Sequence, residues 1–297
     1  MQIKTAENII ELIAKKISLY KKNKIDLALS GFSYFTFSSN TPSKLLVDFY
    51  LIKKFSYLVE ILKYIKNFLS IIKIYNYSII LNNKKINKSR IIISWCKKLD
   101  FDKTGNYYDS YFNVSSNNKI FFFLLISMDG YIPNNIRDNI IIIYKKKINL
   151  FKYSYNLFLY LKDLFLSIKL KGIYFSHYFN WHSVFAVKIY NLSNDFFDTS
   201  IINEIYIPYE GQPFQKFLTK KIKSKKNSIK IIGYAHMILT PVPGNLYYMN
   251  GAPDELLVAG IDQKKILIKY FNWSPKKIKV IPSFRFLKST NNNMLNK

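Results

Sequence analysis

The chain of 297 residues contains a single cysteine, Cys96, and only three arginines, Arg90, Arg137 and Arg285. One thiol excludes an internal disulfide and any zinc site built on clustered cysteines, and it fits a reducing compartment. The shortage of arginine bears on what the charge is for. Lys and Arg together number 45 against 18 acids, a formal net charge of +27, and such an excess draws phosphate-rich partners. A protein shaped to grip phosphates or read base edges would favour the guanidinium fork. Here the cations are nearly all lysine, set among Ile, Asn, Tyr and Phe, the residues an AT-rich coding sequence supplies. Nucleic acid is therefore not the expected partner, although the charge still attracts anionic sugar nucleotides and an anionic membrane leaflet.

Long apolar runs are also missing. The most apolar segments, residues 120–133 and 139–144, are too short to span a bilayer. The opening 26 residues carry apolar side chains at helical spacing broken by lysines, unlike the continuous apolar core of a secretory leader. The expectation is a chain at the cytoplasmic side, free or in peripheral contact with the membrane. Neither G-x-x-x-x-G-K-[ST] nor G-x-G-x-x-G occurs, which argues against P-loop and dinucleotide chemistry. His177 and His182 flank "YFNW" without acidic partners, so no metal site is expected. Asp129, in "SMDGYIP", reads as a turn residue. No repeat of 20 to 50 residues is apparent.

What is present is a hydrophobic fraction of 49%, ample for a core. Residues 5–22, 43–73, 150–170 and 182–191 read as helices. Residues 90–95, 119–127, 139–144 and 172–175 read as strands, short β-branched or aromatic runs bounded by polar turns. Between the first two strands lies a polar, aromatic loop, "DFDKTGNYYDSYF". Seven of the nine prolines and five of the nine glycines fall between Pro208 and Pro282, and there the pattern is clearest. Strands are expected at 203–209, 228–234, 254–260 and 277–283, with helices at 213–223 and 262–271. Pro213 suits the first position of its helix, where a missing N–H costs nothing, and Asp262 suits an N-cap. Strands alternating with single helices imply a parallel sheet.

In an open parallel sheet, ligands bind beyond the carboxyl ends of the strands, and the unusual polar residues fall there. "YEGQP" follows the first strand of this group with Glu210 and Gln212, and His236 follows the second. Ser283 and Arg285 follow the last. Glu210 reads either as a helix N-terminal acid or as a general base or hydroxyl acceptor. His236 reads either as a loop histidine bonded to a carbonyl or as a phosphate ligand or acid–base group. Ser283 and Arg285 serve either a turn and a surface carboxylate or an anion clamp. Residues 244–255 are a solvent-facing loop or a lid, and Asp254 and Glu255 lead into the next strand.

The blocks "YIPYEGQPFQKFLTKKIK", "IIGYAHM", "PDELLVAG" and "ILIKYFNWSPKKIKVIPSFRF" resemble the C-terminal part of bacterial surface-carbohydrate (capsule and O-antigen) biosynthesis proteins. These are similar to GT-B glycosyltransferases, including those using CMP-linked sialic acid or Kdo. "SWCKKLDFDKTGNYYDSYF" looks like part of the N-terminal region of such proteins. The resemblance implies an α/β fold of two Rossmann-like domains with parallel sheets facing a cleft. They would be an acceptor-side domain over residues 1–190, short or incomplete, and a nucleotide-sugar-binding domain over 191–297. It implies catalytic roles for Glu210 and His236, donor contacts from Gln212, Gly233, Ser283 and Arg285, and no bound metal or cofactor. The partners would be a nucleotide-sugar donor and a glycan or lipid-linked acceptor. The alternative is an inactive relative binding a carbohydrate or protein in a capsule-assembly complex.

Overall fold

The computed structural model of the chain describes residues 77–80, 90–146, 181–199, 201–236 and 246–284, with positions 151, 154, 155 and 158. Its first strands are β1 (Tyr77–Ile80), β2 (Arg90–Cys96), the short hairpin β3 (Tyr108–Asp109) and β4 (Val114–Ser115), β5 (Phe121–Ser127) and β6 (Ile140–Lys145). Then follow α1 (Trp181–Thr199), β7 (Glu204–Pro208), α2 (Pro213–Lys225) and β8 (Lys230–Ala235). The last elements are β9 (Glu255–Val258), α3 (Ile261–Tyr270) and β10 (Ile278–Val280).

Eight strands form one sheet in the order β1-β6-β5-β2-β7-β8-β9-β10. β1 runs antiparallel to β6, and every other neighbouring pair is parallel. The sequence explains this burial: "RIIISWC", "FFFLLIS" and "IIIIYK" are near-continuous apolar runs, as strands covered on both faces require. One face carries Ile91, Ile93, Phe122, Leu124, Ile205, Ile207 and Ile231, packed with Val184, Phe185 and Ile189 of α1 and Phe214, Phe217 and Leu218 of α2. The other face carries Ile92, Cys96, Phe123, Leu125, Ile142 and Tyr234, and the excursion between β2 and β5 covers it with Tyr107 and Phe112.

The expected parallel arrangement of the last four strands is present, with β7, β8, β9 and β10 adjacent in sequence order. The boundary expected at residue 190 does not separate two sheets: β2 pairs directly with β7, Arg90 opposite Glu204 and Ile92 opposite Tyr206. Both segments supply one layer because the backbone N–H and C=O groups on both edges of a buried central strand must be paired, and β5 and β7 pair those of β2. The architecture is thus a mixed α/β, Rossmann-like sheet. Helix α1 runs to Thr199 rather than ending near Asn191. Ser193 is absorbed by a back-bond from its Oγ to the Ile189 carbonyl, 2.8 Å, and Phe196 and Phe197 continue the buried stripe. Gly260, not Asp262, is the N-cap of α3, with Asp262 in the first turn. The helices expected at 5–22 and 43–73 and the strand at 172–175 lie outside the described residues, as does most of 150–170.

Candidate functional site

From the central strand β2, the chain steps outward to β5 and β6 on one side, and later to β7, β8, β9 and β10 on the other. The connections leaving β2 and β7 therefore diverge, and the crevice this opens at the carboxyl ends is where parallel sheets bind ligands. Three loops meet around it, those after β2, β7 and β8.

After β7 the chain must turn from strand to helix within four residues. Gly211 makes the turn with φ at +68°, a conformation that costs glycine little. Gln215, buried in the first turn of α2, ties the turn together. Its Oε1 accepts from the backbone N–H of Glu210 and of Gln212, each 3.0 Å, and its Nε2 donates to the Pro208 carbonyl at 2.6 Å. With Gln215 serving as the tie, the Glu210 carboxylate is aimed elsewhere. Its Oε2 accepts from Gln212 Nε2 at 2.6 Å, and its Oε1 lies 3.2 Å from His236 Nε2.

His236 follows β8 directly, and its side chain is only 5% exposed, against 29% for Glu210. Its ring meets Tyr111 edge-on with centroids 4.4 Å apart, and Tyr234 lies at 6.4 Å. With Nε2 engaged by the carboxylate, Nδ1 is buried and has no hydrogen-bond partner among the described residues; the Tyr234 hydroxyl is likewise buried and unpaired. A carboxylate holding an imidazole in one orientation is an arrangement that moves protons. The adjoining Gln212 amide supplies further hydrogen-bonding capacity.

Tyr111 reaches His236 because Asp109 holds its loop. Asp109 is fully buried and accepts from the backbone N–H of Tyr111 and Phe112, each 2.9 Å, and from the Tyr107 hydroxyl, 2.9 Å. Burial pushes its carboxyl upward from the usual aspartate range, because a low-dielectric surrounding disfavours the charged form. On the neighbouring loop Asp129 is the expected turn residue and more: it accepts from Tyr131 N–H at 3.0 Å and from Lys98 N–H at 2.9 Å, joining the loops after β5 and β2.

The structure thus brings Glu210, Gln212 and His236 together. Gly233 sits three residues earlier inside β8, where an added Cβ would come within 2.9 Å of both Tyr209 and Pro253; its small size serves packing. Ser283 lies beyond β10, two strands past β8, on a segment whose next residue, Phe284, folds back onto Tyr234 with ring centroids 5.1 Å apart. Arg285 and the lid candidates 244 and 245 lie outside the described residues. Asp254 and Glu255 enter β9 as expected, Asp254 accepting from Ile231 N–H at 2.9 Å and pairing with Lys223 at 3.1 Å. Among the described residues no group of three or more His, Cys, Asp or Glu side chains is placed to hold a metal ion.

Sequence reasoning passed over Tyr111 and Asp109. The available signal was an aspartate enclosed by aromatics in "NYYDSYF", in the connection between two strands that read as buried. What fold and rim define together is a Rossmann-like α/β protein with a carboxylate–imidazole pair at its topological switch point. A scan against protein-family models finds no match, and a search of curated proteins finds no relative.

Proposed function

We propose that the protein is a glycosyltransferase that uses a nucleotide-activated sugar, a CMP-linked acidic sugar being the first candidate, in building a surface polysaccharide at the inner face of the membrane. The described sheet would be the nucleotide-sugar-binding half of a GT-B-like enzyme. One observation carries the reading: Glu210 and His236, distant in sequence, form a pair 3.2 Å apart at the carboxyl-end crevice, where parallel sheets take nucleotide ligands. In the reaction the glycosidic bond to the donor phosphate breaks as the acceptor oxygen attacks the anomeric carbon. Glu210 would take the acceptor proton. His236, with the N-terminal N–H groups of α2, would face the departing phosphate and stabilise its charge.

Calorimetry with CMP, UDP and GDP, followed by turnover of the matching sugar donors, tests this reading. The expected result is sub-millimolar binding of one nucleotide. Glu210→Ala should lower turnover at least about a hundredfold, and His236→Ala should weaken both binding and turnover. Failure of all three nucleotides to bind would overturn it and favour an inactive, carbohydrate- or protein-binding relative.

A further inference from the structure

Counting donors places a proton on Asp109. Its Oδ1 accepts from the backbone N–H of Tyr111 and of Phe112, each 2.9 Å. Its Oδ2 meets the Tyr107 hydroxyl at 2.9 Å, and the same hydroxyl lies 3.1 Å from the Trp95 carbonyl of β2. A phenol has one proton to give. If Asp109 is ionised, that proton is divided between a carboxylate and a carbonyl, and neither bond is fully made. A proton on Oδ2 reverses the first bond and completes both: Asp109 donates to Tyr107, and Tyr107 donates to the Trp95 carbonyl.

The surroundings favour the neutral form. Asp109 is fully buried, and no lysine or arginine among the described residues forms an ion pair with it. The titratable groups packed against it are Tyr107 of its own loop and Cys96 of β2. Burial pushes both upward, and neither brings a positive charge. Ser94 of β2 lies where it would help a carboxylate, yet its Oγ is buried without completing a hydrogen bond. A buried carboxylate without a cation is costly enough that the group takes a proton instead.

What this clasp holds reaches the crevice. Phe112 rests on Tyr206 and Tyr234, ring centroids 6.0 and 5.9 Å away, which seats the hairpin over β7 and β8. Tyr111, beside it, meets the His236 ring edge-on, with centroids 4.4 Å apart and planes at 62°. Glu210 holds that imidazole at one atom, Nε2, and Nδ1 has no hydrogen-bond partner among the described residues. A single hydrogen bond leaves a ring able to pivot about it, and a packed aromatic edge closes that freedom.

We propose that Asp109 is a neutral carboxylic acid in the folded protein, its proton given to Tyr107, and that through this clasp Tyr111 is the positioning residue that keeps His236 turned to Glu210. Its bearing on turnover rests on the transferase reading; the clasp and the ring contact stand without it.

Two spectroscopic measurements on the full chain, without nucleotide or acceptor, test this. Infrared spectra at about pH 7, where exposed aspartates are ionised, should show the carbonyl band of a protonated carboxyl group. Carbon-13 labelling of aspartate should move that band in the parent protein, and Asp109→Asn should abolish it. This variant should still fold, because an amide offers the same donor to Tyr107 and the same acceptor to the two N–H groups. Nuclear magnetic relaxation of the His236 ring is the second measurement. The ring should be as ordered as rigid backbone, with an order parameter of about 0.85, and should fall below about 0.6 in Tyr111→Leu. Tyr111→Phe, which keeps the ring edge, should restore the parent value. The absence of a protonated-aspartate band, or a band undiminished in Asp109→Asn, would overturn the inference. So would a His236 ring as ordered in Tyr111→Leu as in the parent, or as mobile in Tyr111→Phe as in Tyr111→Leu. No donor enters either readout, so failure of the transferase reading and failure of this one are separate results.

Discussion

Asp109 and Glu210 stand on neighbouring loops at the same end of the sheet, yet their surroundings assign them different work. Asp109 is fully buried and satisfied by hydrogen bonds from its own loop, Tyr107, Tyr111 and Phe112. Glu210 is partly open to solvent and shares its oxygens with Gln212 and His236, side chains whose chemistry is transferable to a ligand. The comparison teaches that a carboxylate at a strand end is identified by what it holds. One holds backbone and shapes the crevice, and the other holds an imidazole and lines it.

The largest effect should come from Asp109→Ala, which strands one buried and one partly buried N–H group and weakens the seat of a buried hydroxyl. A loss of about 4 kcal/mol in unfolding free energy follows from the cost of unsatisfied buried donors, measurable by urea denaturation. Asp109→Asn should cost less and remove a pH dependence. Since burial raises the folded-state value of Asp109, its favourable contribution is complete below the unfolded aspartate range and is lost as pH rises through the folded value.

Lys216 sharpens the comparison with the opposite charge. It is fully buried in α2, and burial lowers its ammonium from 10.5 to about 7. The unfolded chain binds more protons between those values, so this site makes stability rise as pH goes from about 7 to 10.5. Lys216→Met should flatten that rise in a series of denaturation midpoints. A slope that survives the substitution would show that other groups cause it.

Glu210→Gln should have the smallest effect on stability, under about 1 kcal/mol, because the Gln215 tie holds the turn without it. A melt as damaged as that of Asp109→Ala would erase the distinction between the two acids.

How much of this was legible in the sequence follows from the range of each interaction. β7, α2, β8, β9, α3 and β10 were readable because each is a short apolar run or stripe closed by proline, glycine or polar turns. The Glu210–His236 pair was readable because parallel strands put successive loops on one rim. The pairing of β2 with β7 was not, since a segment more than a hundred residues away in the chain decides it. Tyr111 was missed because a polar loop gives no periodic signal, and its placement depends on Asp109 folding inward against the ordinary preference of aspartate for solvent. Gly233 entered only through the resemblance, and the close packing that also requires a glycine there, a Cβ coming within 2.9 Å of Tyr209 and Pro253, depends on long-range contacts with no local signal.

The most direct test of the central claim is a crystal of the protein soaked with the nucleotide that binds most tightly. The account predicts density for its phosphates between the turn at 209–212 and His236, at the carboxyl ends of β7 and β8. Density seated at the amino ends of the strands, or on a face remote from Glu210 and His236, would contradict it.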